Sequence, residues 1–117
     1  MDVERAQELA TRARGQGNVR VAIVLLARSF HALADADGLD PWNPVELYRW
    51  TLEHLHAESE RHCARFILGL WNADDYADID AENGGALGPF DAMRAVAAWD
   101  HGHRAAFAVW ACDPWWP

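Results

Sequence analysis

The chain has 117 residues, 51% of them hydrophobic, and a formal net charge of −8. That length allows one core and leaves no room for a second. All ten basic residues are arginine, and the acidic balance opposes binding to the phosphates of nucleic acid or of an anionic lipid surface.

Four helical segments are predicted. The first, Asp2 to Arg14, carries Val3, Ala6, Ala10 and Ala13 at helical spacing and stops at Gly15-Gln16-Gly17. Its apolar stripe is thin, so it is expected to be the least stable helix. Asn18 can cap the second, in which Val19, Ile23, Leu26, Phe30 and Leu33 share a face widened by Val21, Val24 and Leu25. Val19 to Ala27 is also the longest apolar run. It is interrupted by Arg20 and falls far short of the roughly 20 residues that span a bilayer.

The third helix has the clearest start. Asn43-Pro44-Val45-Glu46 supplies an N-cap, a proline at the first helical position and a glutamate that can close a capping box. From there the pattern runs unbroken to Trp71 on a stripe of Val45, Tyr48, Leu52, Leu55, Ser59, Cys63, Phe66 and Leu70. Past Phe66 it turns apolar all round, so that end should lie deep. Asn72 to Gly88 reads as a loop, acidic and then glycine-rich. A fourth helix is predicted from Pro89 to Cys112, followed by the tail Asp113-Pro114-Trp115-Trp116-Pro117. The expected architecture is all-α, residues 1–117 forming one domain, a bundle of about four helices with a Trp- and Pro-rich C-terminal tail.

The fourth helix carries the most informative polar feature. Met93, Val96, Phe107 and Trp110 define its expected core face, and Asp100 and His103 fall in the middle of that face. A carboxylate there needs a partner, because burying it alone costs several kcal/mol or neutralises it. On the third helix Ser59 and Cys63 lie on the core line, flanked by His56 and His62. One reading is a metal site: Asp100-x-x-His103 joined by Glu58 with His62, or His56 with Glu60, which would suit zinc, iron or manganese. The competing reading is a polar core without cofactor, with Asp100 paired to Arg104, Glu58 to His62 or Arg61, and a neutral His103 fixing helix register. His31, His54 and His101 read as solvated surface residues.

The acidic segment Asp74, Asp75, Asp78, Asp80 and Glu82 invites a calcium-loop reading but places glycine and the terminal acid wrongly for one. Cys63 and Cys112 have no metal or redox spacing and read as free thiols. With no apolar leader in the first residues, the expected compartment is the cytoplasm. Seven tryptophans are many for this length. Trp50, Trp71, Trp115 and Trp116 lie off the main stripes and, with the acidic segment, are candidate partner-binding residues.

The expected function is therefore a non-enzymatic helical module that engages a protein, with a basic, nucleic-acid-binding protein as the matching partner and regulation or inhibition as its role. A homodimer through the Trp50 seam or the tail is a further arrangement. The alternative is a small metal-dependent enzyme.

Overall fold

In a computed structural model, which describes residues 3–117, the protein is all-α. The described residues form α1 (Val3–Arg14), α2 (Val19–Ser29), a 3₁₀ turn (His31–Leu33), α3 (Pro44–His54), α4 (Glu58–Trp71), α5 (Ala73–Glu82), α6 (Ala92–Ala98) and α7 (His101–Cys112). Asp2, the expected first residue of the first helix, lies outside them. Among the described residues no helix is long and apolar enough to cross a membrane.

Among the described residues seven α-helices replace the expected four, because two long patterns are broken and one loop is helical. The third helix stops at His54. Leu55 turns extended (φ −103°, ψ 112°) and Ala57, also extended, opens α4 without a side-chain cap. No glycine or proline marks this break. Buried Leu55 and a 2.6 Å bond from Arg61 Nε to the Leu55 carbonyl hold it instead. The fourth helix breaks at Trp99, extended at φ −70° and ψ 148°, and Asp100 caps α7 by accepting from the His103 amide at 2.9 Å.

The predicted loop 72–88 contains α5. The Asn72 side chain caps it by accepting from the Asp75 amide at 3.0 Å, and Asp74 and Asp75 in its first turn suit the positive end of the helix dipole.

The break at Trp99 resets helical phase. Met93 and Val96, expected to face the core, are 86% and 41% exposed, while Ala95 and Trp99 are buried in their stead. At the ends of α2 and α3, Val19, Val21 and Val45 are likewise exposed. α4 is the most buried element: His62 to Leu68 and Leu70 are all buried. It packs against α2, α3, α5 and α6. α1 packs on α2 and α7 through Ala6, Leu9, Ala10 and Ala13, all buried, so the thin stripe is a close-approach surface made of small side chains. The buried apolar residues, Leu9 and Ala22 aside, form one cluster that draws on every α-helix.

Candidate functional sites: a histidine clasp and an aromatic groove

The Asp100 carboxylate sits at the start of α7 and faces the 3₁₀ turn after α2. His31 Nε2 lies 2.6 Å from Asp100 Oδ2, and His103 Nδ1 lies 3.4 Å from Asp100 Oδ1. The two imidazoles stack with centroids 3.9 Å apart and planes 8° from parallel. The Ala32 amide donates to His103 Nε2 at 3.2 Å, which puts the ring proton on Nδ1, toward Asp100. Burial, then the neighbouring His31, push the His103 pKa down to about 4, so this ring is neutral at pH 7. Burial alone would raise Asp100, but the His103 amide and the His31 ring outweigh it and hold the carboxyl below its ordinary value.

His103 is buried as its expected place on the core face requires, but Asp100, expected on that same face, is exposed because it caps α7 at its first turn, and the partner it meets is His31 and not the third helix. Among the described residues, His31, Asp100 and His103 form the one metal-capable cluster, and His31 had read as a solvated residue. The Asp100-x-x-His103 spacing is that of an N-cap and the third helical residue, whose amide the cap accepts.

This cluster does not fit a resident transition metal as it stands. Nitrogen lone pairs lie in the ring plane, so one ion cannot bind both rings while they stack nearly parallel. Coordination through His103 Nδ1 would also move the proton to Nε2, against the Ala32 N–H that now donates there. The arrangement is a clasp that pins the 3₁₀ turn to the start of α7.

The ligands expected from the third helix lie in another network. Arg65, buried in α4, reaches both Glu58 carboxylate oxygens (2.9 and 3.2 Å), His62 Nδ1 (3.2 Å) and the Leu87 carbonyl (2.7 Å). The guanidinium between Glu58 and His62 occupies the position a cation would need. Its hydrogen bond lowers the Glu58 pKa; burial and then its charge lower that of His62. His56 is exposed in the break between α3 and α4, so it and Glu60 no longer share one continuous helix.

A further concavity lies between α4, α5, α7 and the tail. It is an open groove of about 770 Å³. Phe66, Phe90, Phe107 and Trp110 form its aromatic side, with Phe66 5.2 Å from Phe107 and 5.0 Å from Trp110, both edge-on. Small residues also line it, Gly69 on α4, the Ala73–Ala77–Ala81 stripe of α5, and Ala92, together with Leu70, Tyr76, Asp80 and Pro89.

Asp80, expected among the solvated acids, accepts from Tyr48 Oη (2.7 Å) and from the Leu87 (3.0 Å) and Gly88 (3.1 Å) amides. It fastens the glycine-rich segment against α5, and these donors hold its pKa low against the opposing effect of burial. The Tyr76 hydroxyl donates to the Gly88 carbonyl and adds a second tie.

Comparison with protein families, with curated proteins and with solved structures finds no match to this chain. Geometry alone carries the functional reading.

Of the tryptophans singled out by the sequence, only Trp116 reaches the groove; it is 70% exposed and packs edge-on to Trp110 at 5.7 Å. Trp115 is half-buried, and its carbonyl accepts from the Trp110 indole at 2.9 Å. Trp50 stacks on His54 and Trp71 packs edge-on to Trp42, both away from the groove. Asp74, Asp75, Asp78 and Glu82 are exposed on α5. The groove escapes the sequence because Phe66, Phe107 and Trp110 fall on stripes expected to face the core, while Phe90 carries no signal of its own. The signal available was the run of alanines at four-residue spacing in the acidic segment, once that segment is read as a helix.

Proposed function

We propose that the protein is a non-enzymatic interaction module that takes an apolar segment of a partner protein into the groove between α4, α5 and α7. The observation that carries this reading is an open groove with an aromatic side and a predominantly apolar lining in which small residues of α4 and α5 leave space unfilled. Gly69 is the sharpest case. It sits inside α4, where glycine costs roughly 0.5–1 kcal/mol relative to alanine. A Cβ there would meet nothing within 4 Å, so packing within this chain does not require the glycine. Keeping that space open is useful only if something enters it.

A protein occupant is favoured over a small molecule because the apolar surface continues past the groove. Ala92 belongs both to its lining and to a second apolar patch with Met93, Val96 and Ala97 on the outside of α6. Contiguous exposed apolar surface of this kind marks protein contacts. A second copy of the chain is disfavoured, since two molecules of charge −8 would bring acidic α5 helices together.

The test is an NMR titration of the ¹⁵N-labelled protein with an uncharged amphipathic helical peptide of leucine and glutamine. Amide shifts should concentrate at Gly69, Ala73, Ala77 and Ala81, and Ala77→Phe, which fills the groove from an exposed position, should abolish them. Shifts scattered over the surface, or unchanged in Ala77→Phe, would sink the reading. Tight binding of a fatty acid at the same amides would reassign the groove to small apolar ligands.

A further inference from the structure

The groove has a charged side and an uncharged side, and this asymmetry selects a class of partner. On α5 the lining residues Ala73, Ala77 and Ala81 are each followed directly by an exposed acid: Asp74, Asp78 and Glu82. At about 100° per residue, those acids form a second stripe parallel to the lining and beside it, on the flank away from buried Tyr76. Among the described residues their carboxylates form no hydrogen bond or ion pair. The opposite flank, along α6, is apolar at Met93 and Val96, and the exposed charges beside it, Arg94 and Asp91, pair with each other at 3.7 Å.

Resting on the groove reading above, we infer that the occupant is a basic amphipathic helix, oriented with its cationic edge along α5 and its apolar face across the aromatic wall. Apolar side chains at i, i+3, i+4 and i+7 of such a helix match a groove of this kind. Lysine or arginine on one edge meets three exposed carboxylates, and the same helix turned over would set its cations along the apolar flank of α6, where Asp91 is already paired with Arg94. An uncharged or acidic segment would fill the same volume and leave the acidic stripe unanswered. The charge pattern therefore sets both the chemical class of the partner and its direction of rotation in the groove.

The experiment uses three synthetic helical peptides with leucines in identical positions and lysine, glutamine or glutamate elsewhere. Each is titrated against the full chain, against D74N/D78N/E82Q and against Ala77→Phe, at low and at high salt. The leucine–lysine peptide should bind roughly tenfold more tightly than the leucine–glutamine one at low salt, and the glutamate peptide more weakly still. The triple variant and high salt should each erase the lysine advantage and leave glutamine-peptide binding unchanged.

Equal affinities for the lysine and glutamine peptides, both lost in Ala77→Phe, would overturn the basic-helix inference and leave the groove as an apolar docking site. Lysine-peptide binding that survives Ala77→Phe would be diffuse attraction to an acidic surface, and would overturn it as well. No groove shifts with any peptide would remove the docking function itself.

Discussion

The imidazole rings of His31 and His103 lie face to face, 3.9 Å apart, over opposite oxygens of the Asp100 carboxylate. One residue follows α2 and the other opens α7, so a single carboxylate ties together segments 69 residues apart in sequence. On α7, Phe107 and Trp110 follow His103 at i+4 and i+7, on the same helical face. The clasp therefore anchors the helix that provides one wall of the groove.

Acid should loosen this clasp. His103 has its pKa lowered from 6.5 to about 4, so the unfolded chain binds its proton first as pH falls. Stability is then fully present above about pH 6.5 and declines toward pH 4. His62, also lowered, acts in the same direction. Urea midpoints taken between pH 7.5 and 4.5 should fall, and His103→Gln should flatten the dependence. An unchanged slope in that variant would remove His103 from the account.

Transition metal should not stabilise the protein. Stacked rings and the Ala32 amide oppose coordination at the His31–Asp100–His103 cluster, and Arg65 holds Glu58 and His62. Melting curves with excess Zn²⁺ or Mn²⁺ are expected to overlay those recorded with chelator, since only a ligand of the folded state raises the midpoint. A clear upward shift that His31→Ala abolishes would reinstate the metal centre.

Arg65 joins α4 to the segment that closes one end of the groove. Arg65→Met should cost about 2 kcal/mol or more, because it leaves the Leu87 carbonyl without its donor and frees Glu58 and His62. Denaturant unfolding reads the loss. A variant as stable as the parent would mean that this network contributes little.

Gly69→Ala should move stability and binding in opposite directions. Replacing a mid-helix glycine with space around its Cβ should raise stability by roughly 0.5–1 kcal/mol. The added methyl enters the groove and should weaken the leucine–glutamine peptide. Gly38→Ala is the contrasting case: at φ +87° its Cβ would lie 2.5 Å from the Asn43 carbonyl oxygen, so that change should destabilise strongly. Tight peptide binding retained in Gly69→Ala would show that the glycine is not kept for an occupant.

The sequence by itself determined what local chemistry can determine. Periodicity made the chain helical. Asn18 and Asn43 cap α2 and α3 where side-chain capping demands, and Pro44 follows at the first turn. The apolar end of α4 is buried because no polar face remains to expose. Tertiary structure decided where the long patterns break. At Leu55 the interruption has no glycine or proline and rests on burial and on Arg61; at Trp99 it rests on a large buried indole and on a carboxylate that both caps α7 and receives His31. Each break shifts helical phase, and phase assigns residues to core or surface. For that reason Met93 and Val96 emerged into solvent, His31 joined Asp100, and an aromatic wall assigned to the interior became one side of a groove.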